Sequence, residues 1–145
     1  MTVTAEQFTA AMRAAVAERG RDFVYPRGVP GWRSGPHLGN TCMYVRTDVD
    51  ECGCLIGDAA HRVGVSLDQL READVREFSA EEMLRVCIPG LPPRIWDAAG
   101  LAQTVQDSGR SWGLALDRYL CALDEEEATR PLPRGPVTRV TATDS

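Results

Sequence analysis

Between Thr4 and Leu123 apolar residues recur mostly at every third or fourth position, the spacing that lays one stripe along a helix. Phe8, Ala11, Met12, Ala15 and Val16 form the first stripe. Thr4 and Gln7 make a capping box ahead of it, and Gly20 supplies the stop. Leu55, Ile56, Ala59, Ala60 and Val63 form a second stripe, ended by Gly64. Two more capping boxes, Ser66 with Gln69 and Ser79 with Glu82, open helices carrying Leu67 and Leu70, then Met83, Leu84 and Val86. Pro92-Pro93 starts a helix that runs through Ile95, Ala98, Ala99, Ala102 and Val105 to Ser108-Gly109. The clearest stripe is the last: Trp112, Ala115, Leu116, Tyr119, Leu120 and Leu123. Gly109 and Ser111 form the corner before it, which predicts an antiparallel helix hairpin.

Two stretches do not follow this period. Asp22 to Tyr25, closed by Pro26, and Cys42 to Arg46 read as short strands able to pair. The expected fold is therefore α-rich α+β, with about five helices packed around a small two-stranded antiparallel ribbon. Residues 1–127 form the expected single domain. Asp124 to Glu127 crowd a helix C-terminus, where the dipole disfavours negative charge, so fraying is expected there. Residues 128–145 carry Pro131, Pro133 and Pro136 with few bulky apolar residues and read as a disordered tail. Between the two strands, prolines and glycines at 26, 28, 30, 31, 35, 36 and 39 forbid regular structure and predict a long loop.

That loop holds Trp32, with Arg27, Arg33 and His37 near it, residue types that anchor recognition surfaces. We take these four as the expected binding residues. The alternative for Trp32 is a lid folded back onto the core.

Charge narrows the partners. The net charge is −5, which disfavours a general binder of nucleic acid. Leu55 to Ala73 has the outline of a helix-turn-helix, but Asp68 would face phosphate at the start of its second helix. All 16 basic residues are arginine, a bias that fits a GC-rich genome. No apolar run approaches the roughly 18 residues of a membrane span, and no secretory signal is expected. A cytoplasmic protein without a membrane partner is the expectation.

The cysteines offer two chemistries. Five thiols, Cys42, Cys52, Cys54, Cys87 and Cys121, are an odd number and do not suggest a disulfide framework. Cys42, Cys52 and Cys54 with His61 or His37 supply the ligand types of a structural zinc site, without the Cys-x-x-Cys spacing that marks such modules. Cys54 alone, between a strand and a helix start, is similar to the layout of papain-like peptidases and is a candidate nucleophile. His61 stands seven residues along the same helix, about 10 Å of rise, too far to serve as its base. The expectation is no metal, no cofactor and no catalytic residue. Gln103, Gln106, Asp107 and Trp112 flank the hairpin corner, as a polar recognition edge or as a solvated helix face.

Three stretches carry a resemblance: Cys42 to Val45, Cys54 to Val65, and Gln103 to Leu116. Together they resemble small uncharacterised proteins of actinobacterial phages and prophages, over roughly Phe8 to Leu123. The resemblance implies an accessory protein acting in an actinobacterial cytoplasm and brings no activity or site residues with it. The function expected from all this is non-enzymatic binding of another protein. A zinc-stabilised binding module is the first alternative and a cysteine hydrolase the second. Self-association is compatible with each.

Overall fold

The computed structural model describes residues 2–26, 32 and 43–129. Among them are six helices: α1 (Ala5–Arg19), α2 (Leu55–Arg62), α3 (Leu67–Val75), α4 (Ala80–Cys87), α5 (Pro93–Asp107) and α6 (Trp112–Thr129). All three expected capping boxes are formed, at Thr4/Gln7, Ser66/Gln69 and Ser79/Glu82. Each satisfies two backbone donors that a helix start leaves open, which fixes where α1, α3 and α4 begin. α5 starts with Pro93 at its first position, where a missing N–H costs nothing.

α5 and α6 pack side by side as a hairpin, α1 lies against α2 and α6, and α4 lies against α5. The core between them holds Phe8, Met12, Leu55, Ile56, Leu70, Met83, Leu84, Ile95, Trp112 and Tyr119, each with 1% or less of its surface exposed. A hydroxyl pair, Thr9 with Tyr119 at 2.8 Å, joins α1 to α6.

The two-stranded ribbon is not formed; no strand occurs among the described residues, and the chain there is helical. Both expected strands spend their backbone groups elsewhere. The carbonyls of Phe23 and Arg21 accept the N–H groups of Trp112 (2.8 Å) and Gly113 (2.9 Å), which open α6. The segment is thus a cap for the last helix. Gly113 makes that approach feasible, since a Cβ there would stand 2.8 Å from the Arg21 carbonyl oxygen. The second segment folds back on Glu51 to Cys54 through a single antiparallel bridge, Val45 with Cys52. Arg46 donates to the Glu51 carbonyl (2.9 Å), and Gly53 and Cys54 donate to Tyr44 (2.8 Å) and Met43 (3.1 Å).

α6 continues past the acidic run to Thr129. Residues 130–145, most of the expected tail, lie outside the described residues.

Candidate functional site

The thiols expected to do chemistry are fastened to backbone. Cys54 is the N-cap of α2; its sulfur accepts the Gly57 N–H at 3.4 Å and has no exposed surface. Cys52 donates its S–H to the carbonyl of the same Gly57, 3.6 Å away. Burial pushes the Cys52 thiol up to about 12, the opposite of what a nucleophile needs. The His61 ring nitrogen Nδ1 donates to the Val65 carbonyl at 2.8 Å. Among the described residues no three His, Cys, Asp or Glu side chains are grouped as a metal site requires. Cys42, His37, Arg27 and Arg33 lie outside the described residues.

Trp32 is described, and it is only 8% exposed. Its ring meets Tyr25 edge-on at 5.3 Å and Phe23 at 5.9 Å. The guanidiniums of Arg46 and Arg19 lie over it at 4.5 and 5.1 Å. An indole enclosed this way has little face left for a partner to cover. It packs on the core, as the lid alternative has it, and gives Arg46 a cation–π support.

Arg46 carries this arrangement to the surface, where it pairs with Asp48 (2.9 Å) and Glu51 (3.4 Å). It forms one side of a cleft of about 570 Å³ between the Met43–Asp50 segment and the C-terminal half of α3. Met43, Val45, Val49 and Val75 give the cleft apolar walls; Asp48, Asp50, Arg71 and Glu77 give it a charged rim. Val75 is 78% exposed and Val49 40%. Arg71 pairs with Asp50 and with Asp68.

Two residues on the α3 side shape this cleft. The Asp74 carboxylate accepts the N–H groups of Tyr44 (2.8 Å) and Val45 (3.1 Å), so the segment is held to α3 by its backbone. Burial pushes the carboxyl up to about 6, against the pull of those two donors. Glu77 ends α3 in the left-handed region, with φ 57°. The Phe78 N–H reaches back to the Ala73 carbonyl at 3.0 Å and Glu77 to Asp74 at 3.1 Å, a helix stop in which glycine is the usual residue.

Three of the four hairpin-corner residues, Gln103, Gln106 and Trp112, are buried rather than on a solvated face. Gln106 is 1% exposed, and its Oε1 accepts the Leu55 N–H at 2.8 Å, closing the start of α2. Gln103 is 7% exposed and donates to Asp107 at 3.2 Å. Trp112 is wholly buried. No protein-family model, curated protein or solved structure matches the chain.

Proposed function

We propose that the chain is a non-enzymatic binding module. It takes an apolar side chain, flanked by basic ones, from a protein partner into the cleft between Met43–Asp50 and α3. The observation that supports this is the pairing of exposed Val75 and Val49 with a rim of Asp48, Asp50 and Glu77. Those three carboxylates exceed Arg46 and Arg71 by one, since Arg46 pairs with Asp48 and Arg71 with Asp50. An apolar centre with a charged rim is the usual anatomy of a recognition patch, and the sign of the rim selects a basic partner. The engagement of Cys52, Cys54 and His61 with backbone groups favours binding over catalysis. The resemblance to actinobacterial phage and prophage proteins supports an accessory role in the host cytoplasm. No helix among the described residues is long and apolar enough to cross a membrane.

The test is affinity capture from an actinobacterial lysate with three baits: wild type, Val75→Asp and Val86→Asp. Val86 is 58% exposed on α4 and does not line the cleft, so it controls for a surface charge placed elsewhere. A protein retained by wild type and Val86→Asp but lost with Val75→Asp is the expected result. Equal retention by all three would remove the cleft from this reading.

A further inference from the structure

The cleft between Met43–Asp50 and α3 is lined by one acid that differs from those on its rim. Asp48 and Asp50 are exposed, whereas Asp74, in the last turn of α3, is half-buried and lines the cleft with Met43, Val49 and Val75. Its position is fixed. One oxygen accepts the Tyr44 N–H at 2.8 Å and the other the Val45 N–H at 3.1 Å. Both donors are neutral. An ionised carboxylate has about four lone-pair sites, so each oxygen keeps room for a second donor.

Among the described residues Asp74 has no counter-charge bonded to it. Arg71, one turn earlier on α3, pairs with Asp50 and Asp68; Arg76 pairs with Glu72; Arg46, on the facing segment, pairs with Asp48 and Glu51. Burial accordingly pushes the Asp74 carboxyl up to about 6, although the two backbone donors and the charge of Arg71 pull it down. A fixed carboxylate whose charge is under-compensated is stabilised by a cation that reaches it. The cleft provides the approach, because Val49 and Val75 are exposed and an aliphatic chain can lie over both. With Asp74 included, four carboxylates line the cleft against two arginines, which draws positive charge towards it. No histidine lines it, and α4, packed on α3, contributes no group to it. A metal ion is disfavoured, because no three His, Cys, Asp or Glu side chains are suitably grouped among the described residues.

We propose that Asp74 seats the ammonium of a lysine side chain from the protein partner, its methylene stem laid over Val49 and Val75. The inference rests on the binding-module reading and names the basic residue that accompanies the apolar one. Two neighbouring N–H groups, one on each oxygen, already occupy the carboxylate as a guanidinium fork would. An ammonium is a compact point charge that needs a single contact with one oxygen, and its other donors can stay in water or on the rim. Lysine and proton then compete for Asp74. Affinity for the lysine is low where the carboxyl is protonated and rises as pH climbs through about 6; reciprocally, bound lysine lowers the pH at which Asp74 takes up its proton.

The experiment titrates the full-length wild-type chain with N-acetyllysine methylamide and reads amide chemical shifts by NMR. N-acetylnorleucine methylamide, which keeps the four-carbon stem and lacks the charge, is the control. The expected result is a saturable shift at Tyr44, Val45, Val49 and Val75, with the norleucine probe about 5-fold weaker or more. From pH 5 to pH 7.5 the affinity for the lysine probe should rise by about 5-fold, and that for the norleucine probe should not follow. The Asp74 side-chain carboxyl, followed by its carbon-13 shift, should titrate about 0.7 pH units lower when the lysine probe saturates the site, the same 5-fold read from the other side. Rim carboxylates alone would attract the ammonium without moving that midpoint. An unmoved midpoint, equal affinity for both probes, or no saturable shift would overturn the proposal. All three readouts use the wild type, so none depends on an Asp74 variant that loses its clasp on Tyr44. They also need no partner, so they are independent of the capture experiment. Failure here with the Val75→Asp effect intact would reject the ammonium seat and leave the binding module standing.

Discussion

The carboxylate of Asp74 holds the backbone of Tyr44 from 30 residues away, accepting its N–H at 2.8 Å through one oxygen and that of Val45 at 3.1 Å through the other. Both oxygens are needed, because both partners are donors. Asp74→Asn keeps one acceptor and turns the other into an NH₂ facing an N–H. We expect this variant to lose about 1–3 kcal/mol in chemical unfolding at pH 7, the cost of a buried donor without a partner.

The same carboxyl makes stability depend on pH. Its folded value near 6 lies above the ordinary 3.8, so the folded chain binds the extra proton between those values. Its favourable contribution is complete below about 4 and is lost as pH rises through about 6. The gap between wild type and Asp74→Asn should therefore widen as pH falls from 7 to 4. A gap that stays constant would mean Asp74 titrates normally.

Trp32 belongs to the aromatic cluster with Tyr25 and Phe23, and truncating it leaves a cavity beneath Arg46. Trp32→Ala should cost about 3 kcal/mol or more, visible as a lowered melting temperature. An unchanged melting point would restore the indole as a free anchor.

Two glycines should respond differently to the same methyl group. At Gly57 a Cβ would stand 2.7 Å from the Tyr44 carbonyl oxygen and 3.0 Å from its Cα, backbone that cannot swing aside. Gly57→Ala should cost about 1–3 kcal/mol. At Gly100 the obstacle is the Glu81 carboxylate, the end of a flexible side chain. Gly100→Ala should be neutral or stabilising by up to about 1 kcal/mol, since alanine favours helix and the Glu81 side chain can move aside. Calorimetry on the two variants checks the contrast.

Glu77 occupies a backbone position that glycine adopts without strain. Glu77→Gly should gain roughly 0.5–1 kcal/mol from the relaxed helix stop while removing a carboxylate from the rim of the cleft. Higher melting temperature with poorer partner capture is the expected combination. Stabilisation with capture unchanged would show the carboxylate is idle.

Much of the fold is legible before any coordinates, and the reason is local. The three capping boxes are short-range hydrogen-bond patterns written into adjacent residues, and α1, α3 and α4 begin where they say. A short stretch that breaks the helical period, closed by a proline, predicts a strand but does not say which donors its carbonyls will meet, and so the ribbon it predicts is not formed. Phe23 and Arg21 find theirs at Trp112 and Gly113, about ninety positions later, and nothing nearby signals it. Part of the site did leave a trace. Asp74 stands four residues after Leu70, and Gln106 four after Ala102, so each polar side chain sits on an apolar stripe. A polar residue at an inward position has to be bonded, and both are. Trp32 carried two opposite readings because burial of a loop indole depends on partners far along the chain.

The seating of α6 on Arg21 and Phe23 has a consequence for how the molecule comes apart. The start of α6 is completed by Arg21 and Phe23, and Thr9 with Tyr119 ties α1 to the same helix. The α5–α6 hairpin can form from local contacts, but its second helix stays open at the start until the N-terminal segment docks. Shortening the chain by its first 26 residues would expose the N–H groups of Trp112 and Gly113 together with the α1 face of the core. If that joint opens only together with the core, amide exchange at Trp112 and Gly113 should be as slow as at Leu84 and Ile95; faster exchange there would show that it opens on its own.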